Sequence, residues 1–357
     1  MAAMVTKELR QLVRDRRTLA MMLFLPLLLI VVFGYAASFT VRSIPTVVMG
    51  PGAEAAAARL VAPFDVVRIA PAEGRAQAVA TLRDGRSVMA VVTGPHPAVL
   101  LDGSSLFSTQ AALRALAGLS ANSPVAARPS VQVLFNPGLK TSTIMVPGLA
   151  GLILLFIGTV ITSLGVVRER QSGTLEQLAV MPLRPVDVFI GKIAPYFAVS
   201  VIDMALVVVA GVVLFGVPFA GSLPLFALGV VLFLFVTLGI GVLVSSVSQN
   251  QGQAIQLAIM ILLPQIMLSG LIFPLSSMAA GVRWIGYVLP LTYFIEVARG
   301  VMVRATPIGA LWQPLVYLAA LGAVVVTAAT VRFRRMLAPA RTAPGRRRGR
   351  RGDERRP

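Results

Sequence analysis

The chain contains no cysteine and a single histidine, His96. The first absence excludes a disulfide framework and thiolate metal sites, and the second leaves no imidazole cluster to take their place. Charge is scarce as well: 13% of the 357 residues are Asp, Glu, Lys or Arg, against roughly 25% in a soluble domain. No G-x-x-x-x-G-K-[ST] run occurs, so no segment can cradle ATP phosphates as a P-loop does. There is no G-x-S-x-G elbow and no G-x-G-x-x-G after a strand. Catalysis by this polypeptide is not expected.

Apolar residues are abundant. They make up 57% of the sequence, and the mean hydropathy is +0.84. Several apolar runs reach the ~20 residues that a helix needs to cross a bilayer. A soluble fold is excluded. The formal charge of +18 would suit a nucleic-acid binder, but arginine clusters at the two ends, in Arg10, Arg14, Arg16 and Arg17 and again from Arg332 to Arg356. These clusters flank apolar spans, which makes the charge topological. No aromatic interleaving supports recognition of a specific nucleic acid.

The expected fold is a mainly α membrane protein with six transmembrane helices and a small α/β extracytoplasmic domain. The spans are Leu19–Ala37, Ile144–Val167, Phe189–Phe215, Leu223–Val247, Ala254–Phe273 and Leu311–Val331. Residues 1–18 place Val5, Leu9, Leu12 and Val13 at helical spacing with cations on the other faces, as in an amphipathic interfacial helix. Residues 19–37 also admit a signal-peptide reading, because Ala36-Ala37-Ser38 follows the apolar run. Lys and Arg crowd the N-terminal stretch, the loop Arg168–Lys192 and the tail, while the turn Gly216–Ser222 has none. Positive-inside then puts both termini in the cytoplasm of a bacterial inner membrane.

Residues 38–143 have ordinary soluble composition. Strands are expected at Ile44–Met49, Val66–Ile69, Val88–Thr93, Val99–Leu101 and Val131–Phe135, with helices at Ala72–Arg83 and Leu106–Leu119. His96 lies between Pro95 and Pro97 in a loop and is not expected to hold a metal. The membrane part runs over 144–335, and residues 336–357 form an Arg-rich cytoplasmic tail expected to be disordered. Such a tail can bind anionic lipid.

The loop over residues 168–188 reads Arg168-Glu169-Arg170-Gln171-Ser172-Gly173-Thr174-Leu175-Glu176-Gln177-Leu178-Ala179-Val180-Met181-Pro182. Thr174 can cap a helix with Gln177 reaching back, Gly173 permits a sharp entry, and Pro182 ends the helix. Pro185 suits the start of the next one. A short amphipathic helix between two spans can pass force from a partner to the membrane, or simply lie in the interface.

Arg-Glu-Arg-x-x-Gly-Thr-Leu-Glu-Gln-Leu-x-x-x-Pro, followed by Gly191-Lys192, resembles the signature of ABC type-2 transporter permeases. It is similar in particular to the drug and multidrug exporter branch with a large extracytoplasmic domain between the first two helices. Leu268-Ser-Gly-Leu-Ile-Phe-Pro, and Trp284 through Pro290-Leu-Thr-Tyr-Phe-Ile-Glu-Val-Ala-Arg-Gly300, resemble that family's re-entrant hairpin. The resemblance covers nearly the whole chain. It implies a coupling helix in which Glu169, Gly173, Thr174, Glu176, Leu178 and Pro182 contact an ATP-binding subunit. It also implies residues 1–18 as a connecting helix and a second permease, the same or homologous. ATP and Mg would be bound by the partner subunit and no cofactor by this chain. The other inner loop, Ser245–Gln253, departs from an ionic contact surface in having no charge.

Three intramembrane features need a reading of their own. Asp203 lies midway along the third span, where an aspartate costs roughly 2.5–3.5 kcal/mol to insert, so it should face protein or water. A hydrogen bond to a neighbouring helix is favoured over proton coupling. In the re-entrant segment 274–304, Pro290, Tyr293, Glu296 and Arg299 stand out, and Glu296 can pair with Arg299 at i,i+3. An architectural lid is favoured for this segment over substrate contact. The expected function is export of a hydrophobic or amphipathic substrate driven by ATP. The alternatives are a proton-coupled secondary transporter using Asp203 and a membrane sensor with an extracytoplasmic domain.

Overall fold

A computed structural model of the chain describes residues 43–120, 129–173 and 185–337, together with Ala20, Phe24, Leu27, Ile30 and Val41. The expected connecting helix over 1–18, most of the first span, and Thr174, Glu176, Leu178 and Pro182 lie outside the described residues, as does the tail from 338. The four positions described within the first span are helical and exposed.

The α/β domain begins with β1, Ile44–Met49, and the short helix α1, Ala53–Ala57, which the sequence reading did not anticipate. Then come β2 (Phe64–Ala70), α2 (Arg75–Arg83), β3 (Met89–Val92), β4 (Ala98–Asp102), α3 (Leu106–Ser120) and β5 (Ser130–Leu134). Helix α2 starts later than the expected Ala72, because Gly74 adopts an extended conformation ahead of it and its amide donates to Gln77 Oε1 at 3.2 Å. The sheet order is β2-β1-β3-β4-β5. All neighbouring pairs are parallel except β3 and β4, which form an antiparallel hairpin whose loop contains His96.

The strand alternation explains why this sheet is covered on both faces. Val47, Met49, Ala90, Val92, Ala98 and Leu100 face one way and meet Ala78 and Leu82 of α2. Their neighbours Ile44, Met89, Val99 and Leu101 face the other way and meet Ala112 of α3. The interior strands β1, β3 and β4 are therefore mostly apolar runs.

Five helices among the described residues are long and apolar enough to cross a membrane. They are α4 (Thr141–Gln171), α5 (Pro185–Phe215), α6 (Leu223–Val247), α7 (Gln251–Leu268) and α10 (Ile308–Leu337). Their bounds follow the expected spans closely, with α7 stopping short of Phe273. Helix α6 is central, packed between α4 and α10: 61% of its apolar window is buried, against 17% for α5, which leaves most of α5 facing outward. Small residues allow the close approach of α4 and α6. A Cβ on Gly158 would stand 2.7 Å from Thr237 Oγ1, and one on Gly241 would stand 2.9 Å from the Thr159 carbonyl.

Between α7 and α10 the chain forms a 3-10 turn (Leu275–Ser277), α8 (Ala280–Gly286) and α9 (Pro290–Met302). Every residue of α9 except Glu296 and Arg299 is buried. Phe294 stacks on Phe233 of α6 with ring centroids 4.5 Å apart, and Gly151 of α4 makes room for its ring. Within the segment expected to act as a lid, α9 is therefore part of the bundle's core, while Trp284 and Tyr287 of the preceding stretch are exposed. Irregular backbone at this depth is tolerated because protein surrounds it.

Candidate functional site

Two regions concentrate polar chemistry, one at each end of the bundle. The first lies where α4 ends, at the opposite end from the α/β domain. Ser172 closes the helix, and Gly173 follows at φ +74°, the left-handed position that glycine takes after a helix C-terminus. Arg168 is exposed here, while Glu169 and Arg170 are half-buried in the last turn.

Arg170 turns toward the loop between α6 and α7. Its guanidinium donates to the Ser245 carbonyl at 3.4 Å and to the Ser248 carbonyl. Gln251 Nε2 donates to Gln171 Oε1 at 3.3 Å, beside that bond. The loop also satisfies itself. Asn250 Oδ1 caps α7 by accepting from the Gln253 amide at 2.9 Å, and Gln253 Oε1 accepts from the Gln249 amide at 2.9 Å. An uncharged loop thus provides the carbonyls that α6 leaves open at its C-terminus, and a cation on α4 binds them. The end of α4 at Gly173 is thereby tied to the loop that joins α6 and α7. Sequence reasoning missed Arg170, although a conspicuously neutral loop that must close a helix end was a signal.

The second region lies where α7 breaks. Gly270 has φ +82°, and the carbonyls of Gly270 and Leu271 have left the helical ladder. Arg299 of α9 donates to both, from Nη1 and Nη2 at 3.3 Å each, and its Nε donates to the Ile144 carbonyl at 3.1 Å. Ile144 adjoins Thr143, whose carbonyl loses its helical amide because Pro147 has none to give. The planar guanidinium, with five donors, suits three separate acceptors.

This corrects the expected Glu296–Arg299 pair. Both side chains leave α9 on one face, but three carbonyls in an apolar bundle, two of them freed where α7 breaks, hold the guanidinium more strongly than an exposed i,i+3 partner would. Glu296 is exposed and has no ion pair or hydrogen bond among the described residues. Pro290 occupies the first turn of α9, and Tyr293 donates to the Tyr287 carbonyl and stacks on Tyr317 at 4.9 Å. Asp203 is half-buried on α5, and the interhelical hydrogen bond expected of it is not formed among the described residues.

Turn residues after α9 join this region to the domain. Arg304 Nη1 stands 3.6 Å from Asp102 Oδ2 and 3.3 Å from Ser104 Oγ, and Thr306 Oγ1 donates to the Arg83 carbonyl at 2.7 Å.

Residues 16–331 match the family model described as "ABC-2 family transporter protein". The chain belongs to the ABC-2 transporter family. It is 32% identical over 201 residues to the probable multidrug ABC transporter permease YbhR of Escherichia coli K12, covering 56% of this chain and 55% of that protein. It is 37% identical over 163 residues to the probable multidrug permease YbhS of the same strain, covering 45% of this chain and 43% of the relative. The inner membrane transport permease YhhJ of Escherichia coli K12 is 35% identical over 207 residues, covering 57% of this chain and 54% of YhhJ. The chain spans about half the length of the curated relatives it matches.

Proposed function

We propose that this chain is the membrane-spanning permease subunit of an ATP-binding-cassette exporter, with ATP and Mg bound and hydrolysed on a separate subunit. The supporting observation is the Arg168–Pro182 signature, rooted through Arg170 and Gln171 in the loop that joins α6 to α7. Glu169, Gly173, Thr174, Glu176, Leu178 and Pro182 form the contact with the ATPase. A push there reaches α4, α6 and α7 together, so nucleotide state on the partner biases the exposure of the pathway without ATP touching this chain. The pathway forms with a second permease, identical or homologous. In this reading both termini and the 168–188 loop are cytoplasmic, the α/β domain is extracytoplasmic, and the membrane is the bacterial inner membrane. The cargo is hydrophobic or amphipathic, since the spans offer few charges to hold an ion.

The test is co-expression with a candidate ATP-binding subunit. Export of a hydrophobic dye from cells should require both chains and stop when the ATPase loses its catalytic base. Export that survives this loss would refute the reading and favour proton coupling through Asp203, which has no partner among the described residues.

A further inference from the structure

The break after α7 opens a cavity of about 230 Å³ between the α/β domain and the bundle. Its wall is polar although the bundle is apolar. Ser104 comes from the domain, Ser269 from the end of α7, Thr292, Glu296 and Arg299 from α9, and Arg304 from the turn that follows.

Several of these groups are already engaged. The Ser104 hydroxyl donates to Asp102 at 2.6 Å, the Thr292 hydroxyl donates to the Gly286 carbonyl at 2.6 Å, and Arg299 serves its three carbonyls. Three groups remain. Ser269 is 2% exposed, and its hydroxyl has no hydrogen-bond partner among the described residues. Arg304 Nε is buried and likewise unpartnered. The Glu296 carboxylate faces the cavity without an ion pair. Unpartnered buried polar atoms are costly, and native structures leave few without a reason.

The charges on this wall narrow the chemistry. A simple anion would be drawn to Arg299 and Arg304 but repelled by Glu296. A simple cation would meet the reverse. Arg299 is matched by carbonyl dipoles and not by a carboxylate, while Asp102 faces Arg304. A ligand that carries both signs satisfies every group at once. We propose that this cavity binds a small zwitterion, its ammonium on Glu296 and its oxyanion, a phosphate or carboxylate, on Arg304 Nε and the Ser269 hydroxyl. The ligand's source is either a free solute or the headgroup of an aminophospholipid, since the cavity lies where a spanning helix ends and the α/β domain begins. This binding does not depend on an ATPase partner.

The test uses the purified full chain in a detergent free of aminolipid, without nucleotide. O-Phosphoethanolamine and β-alanine are the soluble probes, with ethanolamine and inorganic phosphate as half-ligands. At least one zwitterion should bind about tenfold or more tightly than either half, as expected for one added charge-assisted contact. Glu296→Gln should remove that advantage while leaving phosphate binding intact. Because Glu296 makes no hydrogen bond or ion pair among the described residues, the unfolding midpoint should move little, which separates lost binding from lost fold. In a parallel arm, native mass spectrometry after reconstitution compares retention of phosphatidylethanolamine with phosphatidylglycerol. Selective retention lost in Glu296→Gln, without binding of the soluble probes, assigns the site to the headgroup. Half-ligands binding as tightly as the zwitterions, an unchanged preference in Glu296→Gln, or no binding in either arm would each overturn the proposal.

Discussion

Arg304 and Asp102 are separated by about two hundred residues in sequence, yet the guanidinium stands 3.6 Å from the carboxylate in a buried setting, 11% and 1% exposed. The contact joins the end of β4 to the turn after α9, and the Thr306 hydroxyl on the Arg83 carbonyl braces the same junction. Gly85 is a glycine here for two reasons: φ is +74°, and a Cβ would lie 3.0 Å from the Arg304 guanidinium. The α/β domain is therefore fixed to the bundle at a second place, besides the covalent run into α4.

Removing one member of this pair should destabilise the junction. Asp102→Ala leaves Arg304 buried without a counter-charge, a change that typically costs about 3–5 kcal/mol. It also strips the acceptor of the Ser104 amide, 2.9 Å away. A lower unfolding midpoint and faster proteolysis between domain and bundle are expected. The Asp102→Ala, Arg304→Met double variant should recover part of the loss, since the stranded charge is gone. Equal stability of Asp102→Ala and the parent would contradict a structural role for the pair.

Arg299 is expected to tolerate no conservative exchange. Lysine presents a point charge on a flexible stem and cannot reach the Ile144, Gly270 and Leu271 carbonyls together. Arg299→Lys should lower stability by roughly 1.5–3 kcal/mol for each carbonyl left without its donor. Glu296→Gln should shift stability by no more than about 0.5 kcal/mol, as at an unpaired position. Comparable losses in the two variants, measured by thermal unfolding, would restore the i,i+3 pair.

The contrast between these two residues shows where sequence reading works and where it stops. The spans were legible because a membrane demands apolar runs of fixed length, and β1 was found at Ile44–Met49 because its apolar run is bounded by Ser43 and Gly50. Local spacing alone also suggested Glu296 with Arg299. It had no means of weighing carbonyls on α4 and α7, more than a hundred and about thirty residues away. The break at Gly270 and Pro274 was visible, and with it a need for donors; a nearby arginine in the re-entrant segment was the one to suspect. The burial of α9 depends on Phe233 and Gly151 meeting Phe294, which no periodicity within α9 reveals.

Helix packing gives a prediction in which two effects oppose each other. Gly158→Ala improves helix propensity by about 1 kcal/mol. Its new Cβ would stand 2.7 Å from Thr237 Oγ1, on the helix that also packs against α10. Overpacking of this kind costs about 1–3 kcal/mol, so a net loss of up to about 2 kcal/mol is expected. Thr237→Ala removes the nearest atom, and the double variant should be more stable than Gly158→Ala alone. If Gly158→Ala raises the unfolding midpoint, α4 and α6 are not in the close contact described.

The other end of the bundle tests the route from an ATPase to the spanning helices. Arg170→Ala breaks the tie between the end of α4 and the carbonyls of Ser245 and Ser248, yet it leaves Glu169 and the sequence from Gly173 to Pro182 unaltered. Under the exporter reading, the partner should still co-purify, because its contact residues remain. Dye export per ATP hydrolysed should fall by roughly tenfold, since α4 alone would receive the push that α6 and α7 now share; one lost charge-assisted contact is worth about that factor. Arg170→Lys should recover part of it through a single carbonyl. Loss of co-purification in Arg170→Ala would place Arg170 in the partner contact itself. Unchanged export per ATP would show that the loop between α6 and α7 takes no part in transmission.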